Sequence, residues 1–164
     1  MDFGGIKMSQ VFFKFNDFNW DGVTKIDYKP SGEDGPVTFN ETSRQNLVEH
    51  GANTDFHLRY FECAKDGFST LEKHEHVHVV VIARGTGKVI VKDEIFDAKP
   101  MDLIVVPPNA WHQLINTSDE PFGFFCTVDA KRDKFTLLTK EEIEDLKKNE
   151  EIAKYIKVPD KYFG

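Results

Sequence analysis

Between Val37 and Val128 the chain repeats one pattern, a short β-favouring segment followed by a turn. FHLRYFECA, HVVVIA, KVIV, EIF, DLIVV, HQLIN and FGFFCTV are rich in β-branched and aromatic residues. Asp66-Gly67, Gly85-Thr86-Gly87, Lys99-Pro100, Pro107-Pro108-Asn109 and Ser118-Asp119-Glu120-Pro121 supply turn chemistry between them. Strands this short, with turns every 8 to 12 residues or so, specify an all-β sandwich or closed barrel. Within the series, HVVVIA and KVIV on either side of Gly85-Thr86-Gly87 read as a hairpin with a glycine-permitted turn.

The flanks differ. Residues 1–36 form an N-terminal arm, phenylalanine-rich in VFFKFNDFNW and turn-like afterwards, with a loop by composition from Pro30 to Pro36. Such an arm either packs on its own core or is buried by a second subunit. Residues 37–130 form the barrel. Residues 131–164 form a tail with one or two helices. Thr139 and Glu142 make a capping box, Asn149 is a candidate second N-cap, and Ile143, Leu146, Ile152 and Ile156 are the apolar positions. Acidic residues lead and lysines trail, which suits the helix dipole.

With 21 Lys and Arg against 28 Asp and Glu, the 164-residue chain carries a net charge of −7. That balance argues against nucleic acid and against an anionic membrane as partners. No apolar run approaches the roughly 20 residues that cross a bilayer. MDFGGIKMSQ lacks a basic n-region and a continuous apolar h-region, so a cytoplasmic protein is expected. Cys63 and Cys126 stand far apart, outside any C-x-x-C pattern, and read as free thiols.

One segment carries chemistry. LEKHEHVHVVVIARGTG places Glu72, His74, His76 and His78 at every second position, and half of the six histidines fall within five residues. Imidazole is the commonest transition-metal side-chain ligand. The bland alternative is a polar strand face that carries titratable groups by accident.

Spacing brings a resemblance to the cupins, small β-barrels whose first motif runs H-x-H, three or four residues, E, six residues, G. With Gly85 as the anchor, His78 takes the place of the family glutamate, His74 that of the second histidine, and Glu72 that of the first. The second motif runs G, five residues, P-x-G, two residues, H, three residues, N. Pro107, His112 and Asn116 fall in register, while Met101 and Asn109 stand where the family has glycine. The resemblance covers Phe56 to Val128. It implies a single-domain double-stranded β-helix, a jelly-roll-like barrel, with Glu72, His74, His78 and His112 as metal ligands. The usual inventory of three histidines and one glutamate is kept although two positions have exchanged types.

Three imidazoles and a carboxylate suit a divalent transition metal and leave positions open for water, dioxygen or substrate. The resemblance favours Fe or Mn; Zn, Ni and Cu also fit the donors. His76 is left out of the set, either as a turn histidine, or as a group that supports the ligands from outside, or as a catalytic proton carrier. Arg59 is either a salt bridge at a sheet edge or a guanidinium inside the barrel that grips a carboxylate substrate. Phe124 and Cys126 share one parity on the last strand, as core or as pocket wall; the resemblance places both towards the metal. Trp111 reads as packing, and His50 and His57 as surface or satisfied core histidines. The implied function is a metal-dependent enzyme on a small oxygen-bearing molecule, with dioxygenase chemistry leading. Isomerase or decarboxylase chemistry and a non-catalytic binding module are the alternatives. The resemblance also implies a homodimer with the arm at its interface.

Overall fold

The computed structural model describes residues 11–28, 36–49 and 54–164. Most of the Pro30–Pro36 loop, His50 and MDFGGIKMSQ lie outside the described residues. The elements run β1 (Phe15–Asn16), β2 (Asn19–Trp20), β3 (Lys25–Asp27), β4 (Asn40–Val48), β5 (Phe56–Phe68), β6 (Glu72–Lys73), β7 (His78–Arg84), β8 (Gly87–Val91), β9 (Glu94–Ala98), β10 (Leu103–Val106), β11 (His112–Asn116), β12 (Phe122–Asp129), β13 (Thr136–Leu137), α1 (Lys140–Leu146) and α2 (Glu150–Tyr155). The expected all-β class is the observed one.

Eleven strands form one curled sheet. One half carries β10-β7-β12-β5 with β4 beside β5 and β3 beside β4, and the other carries β9-β8-β11-β6-β13. They join where β11 meets β5, at Ile115 opposite Phe68. Between the halves lies a core of Phe61, Cys63, Val80, Ile82, Val89, Leu114, Phe122, Phe124, Cys126 and Val128. Burying each of the larger of these contributes about 1.5–3 kcal/mol.

The expected hairpin around Gly85 is not formed. β7 pairs with β10 and β12, whereas β8 pairs with β9 and β11, so the chain changes sheet at this corner. Gly85 does adopt the left-handed conformation, φ +67°, and a Cβ there would lie 2.2 Å from the Pro121 carbonyl oxygen. The glycine lets the corner pack on the chain entering β12; it does not fold two strands onto each other. The hairpin in this region joins β8 to β9 through Lys92 and Asp93, with Lys92 at φ +55°. Asp66-Gly67 likewise does not end a strand. It bends β5 internally as a bulge, where Asn40 and Thr42 of β4 face Phe68 and Cys63.

The arm packs on its own barrel. Phe18 stacks on Tyr60 at 5.7 Å, and Trp20 meets Tyr60 and Phe125 edge-on at 5.3 and 5.8 Å, on the outer face of β5 and β12. Val11 and Phe12 remain exposed. The tail contributes β13 and a second core of Leu71, Leu138, Ile143 and Tyr162. Thr139 and Glu142 close the capping box of α1, and Asn149 caps α2 by accepting from the amides of Glu151 and Ile152.

Candidate metal centre

Two strand positions and one residue just after a strand bring imidazoles to one point. His78 opens β7 with the parity of Val80 and Ile82, both fully buried, so it faces inward. His112 opens β11 directly opposite Glu72 of β6, which puts these two side chains on one face. His74 follows β6 where the chain bends through Glu75 and His76. One nitrogen each from His74, His78 and His112 lie within 4.8 Å of one another.

Hydrogen bonds fix which nitrogens face in. His74 Nδ1 donates to the His76 carbonyl at 2.8 Å, and His112 Nδ1 donates to the Ala110 carbonyl at 3.0 Å. A carbonyl only accepts, so both Nδ1 atoms carry the proton and both Nε2 atoms keep their lone pairs. His74 Nε2 is buried with no partner among the described residues. His112 Nε2 faces His78 Nδ1 at 3.4 Å, and His78 Nε2 meets the Cys126 thiol. Burial holds His74 below its ordinary pKa and His78 well below it, and lowers His112 to about 4. Neutral imidazoles with inward lone pairs are what a metal needs, and a cation satisfies the orphaned His74 nitrogen; the residues fit a divalent transition ion.

Glu72 stands beside this cluster. Its Oε2 is buried without a partner, and burial pushes its carboxyl up to about 8 while Arg59 acts in the opposite direction. Glu72, His78 and His112 line one cavity of about 50 Å³ together with Tyr28, Arg59, Phe61 and Phe124.

The cupin domain model matches residues 59–128. A protein of Rhodospirillum rubrum named 1-methylthio-D-xylulose 5-phosphate methylsulfurylase is 37% identical over 139 residues, covering 85% of this chain and 86% of its own. The chain is a cupin. A cupin-2 conserved barrel protein from Rhodopseudomonas palustris superposes with TM-score 0.77 at 40% identity, over 85% of this chain and 93% of that one. A cupin-2 domain of R. rubrum gives 0.76 at 36%, over 84% and 90%. The expected double-stranded β-helix is therefore the fold of this cupin.

The other residues singled out in the sequence fall around the centre in three ways. Arg59 faces into the barrel, with Nη2 donating to Cys126 Sγ at 2.9 Å and its guanidinium 5.0 Å from the Phe61 ring. Phe124 lines the cavity and stacks on Phe61 at 5.7 Å. Cys126 is fully buried between Arg59 and His78; burial raises its thiol pKa and Arg59 opposes that. His76 lies outside the three-nitrogen cluster, because the bend at Glu75 and His76 breaks the strand alternation that would have set it beside His74 and His78. Trp111 packs under the Lys73 ammonium, 3.8 Å from its ring, and His57 meets Arg132 at 3.3 Å.

One residue had no signal in the sequence. Asp133 accepts from the amides of Glu75 and His76 at 2.8 and 3.2 Å and from His76 Nδ1 at 2.6 Å. These bonds hold its carboxyl down at about 2, the Glu75 amide first. It lies 57 positions from His76, at no motif spacing. No helix among the described residues is long and apolar enough to cross a membrane.

Proposed function

We propose that this cupin is an enzyme that binds one divalent transition metal, Fe or Mn, through His74, His78 and His112 with Glu72 beside them, and acts on a small phosphorylated ketose bearing a sulfur substituent. The observation that carries the reading is the convergence of three imidazole nitrogens in a chain 37% identical to a protein named as a methylsulfurylase of 1-methylthio-D-xylulose 5-phosphate. A bound metal supplies a Lewis acid that polarises a carbonyl or hydroxyl oxygen of the substrate. Phe61 and Phe124 exclude water from the cavity wall. Cys126 contributes a thiol to the same site, the residue type that exchanges sulfur substituents, and Arg59 orients it through the Nη2 hydrogen bond.

Dioxygenase chemistry is the second reading, favoured by the donor set: three imidazoles and a carboxylate leave coordination positions open to O₂. The two separate in one experiment. The Mn- and Fe-loaded protein is given 1-methylthio-D-xylulose 5-phosphate and a thiol acceptor, and also diketones and catechols under air. Loss of the methylthio group without oxygen uptake supports the first reading; oxygen uptake with a diketone or catechol supports the second. No turnover with either metal leaves only a binding module.

A homodimer belongs to the same proposal. Leu103 and Val105 are exposed on the edge strand β10, and Val11 and Phe12 are exposed on the arm, which gives a second copy apolar surface to cover. Gel filtration at micromolar concentration tests it, and a monomer there rejects it.

A further inference from the structure

We infer that Arg44, Arg59 and Arg132 form a phosphate-binding subsite at the mouth of the barrel, beside the metal ligands. The inference rests on the reading above in one respect: the end of the substrate away from the phosphate is the end that meets the metal ligands.

Strand register places two of the three. Arg44 of β4 stands opposite Phe61, and Phe61 opposite Phe124, so Arg44 shares the inner face with two cavity residues. Arg59 stands one step along, between Asn46 and Cys126 on the same face. The two guanidiniums flank a ring pair. Arg44 lies 5.6 Å from the centre of Tyr28, Arg59 lies 5.0 Å from the centre of Phe61, and the two rings meet edge-on at 5.8 Å. Arg132 follows β12 at the rim, where its Nη1 donates to the Asp129 carbonyl.

The three charges are not neutralised in place. Arg44 Nε and Arg59 Nε are buried and have no hydrogen-bond partner among the described residues. The ion pairs that arginines make among those residues all belong to Arg84, on the outer face. Arg132 Nη1 meets His57 Nδ1 at 3.3 Å, two positions from Arg59 on β5, and in keeping with that placement burial and then the fields of Arg59 and Arg44 pull Arg132 below its ordinary pKa.

An arginine does not discharge in a protein, and a buried N–H left unpaired costs free energy. Two buried guanidiniums with unpaired Nε–H groups, flanking one ring pair, therefore call for an anion. Three forks match the three terminal oxygens of a phosphate monoester better than the two of a carboxylate. Tyr28 and Arg59 line the same cavity as His78 and His112. A molecule held by its phosphate here would thus present its oxygen-bearing carbons to the metal. The surrounding net charge of −7 makes this local positive patch more selective for where an anion settles.

The test titrates metal-free protein with inorganic phosphate, ribose 5-phosphate and ribose by calorimetry and by melting temperature. Inorganic phosphate and ribose 5-phosphate bind; ribose does not. Arg132→Gln, a change at an exposed position that leaves the core intact, weakens both phosphates about tenfold or more, as does Arg44→Gln. Metal content on reconstitution stays at the wild-type level in both variants. His112→Ala loses the metal and keeps inorganic phosphate affinity. The subsite is overturned if wild-type protein binds neither phosphate, or if both arginine variants bind them as wild type does. If arginine-dependent phosphate binding holds but no metal binds the wild type, the subsite stands and the metal reading falls.

Discussion

His76 lies flat on His74, with ring centroids 3.7 Å apart and planes 8° apart, and the carboxylate of Asp133 holds it there. The stack braces the ring of a proposed metal ligand. The same carboxylate pins the Glu75 and His76 amides, and so fixes the bend that turns His74 inward.

Asp133→Ala should therefore weaken metal binding about tenfold or more without unfolding the chain, since outer partners of metal histidines carry effects of that size. Competition with a chromogenic chelator measures it, and circular dichroism confirms the fold. Unchanged affinity would show that the brace does no positioning.

His74→Ala and His112→Ala should each come out of purification with little or no metal, while Glu72→Gln reports whether the carboxylate is a ligand or a neighbour. Elemental analysis decides. Full occupancy in both histidine variants would reject the ligand set.

Met101→Gly should stabilise the protein. Met101 sits at φ +75° and is 82% exposed, so its side chain adds strain and little packing. Relief of a left-handed non-glycine residue is about 1 kcal/mol, or a rise of a few degrees in Tm. A lower Tm would place unseen packing on that methionine.

Asn116→Ala should cost about 2–4 kcal/mol. Asn116 Nδ2 donates to the carbonyls of Cys63, Ala64 and Glu120, and Oδ1 accepts from the Ser118 amide and hydroxyl. Truncation leaves several buried carbonyls unpaired where β5, β11 and the turn into β12 meet. Urea unfolding with an unchanged m-value would show the loss as stability alone.

Alkali should destabilise the fold in two steps. Burial raises Cys63 from 9.0 to about 12 and Tyr162 from 10.0 to about 12. The folded chain keeps these protons where the unfolded chain has released them. The stability they contribute is thus complete below pH 9, falls from pH 9 as unfolded Cys63 ionises, and falls faster from pH 10 with Tyr162. Cys63→Ala should flatten the first part of that fall in a series of thermal melts.

What was legible in the sequence was local. Alternating β-branched and aromatic segments located β5 and β7 to β12, because side-chain periodicity needs no partner, while the two-residue β6 was too short to leave a pattern. Thr139, Glu142 and Asn149 announced the helix starts because capping acts within three residues. Met101 and Asn109 both adopt positive φ, at 75° and 60°, where the cupin pattern has glycine. The backbone demand of that motif persists although this chain meets it with other residues.

The three dimensions decided who faces whom. Gly85 permits a hairpin or a change of sheet equally well, and the packing of Pro121 against the corner selects the second. His76 shares the spacing of His74 and His78, yet Asp133, 57 positions away, holds it out of the cluster. Arg44 and Arg132 carry no motif and come to the same side of the barrel as Arg59 only because β4 and β12 both lie beside β5. The sequence by itself determined the strand-and-turn class, the cupin spacing and the kinds of candidate ligand, all set by contacts within a few residues. Tertiary structure alone decided strand partners, the side chain that braces the ligands and the gathering of arginines, because these depend on residues that approach one another only when the sheet curls.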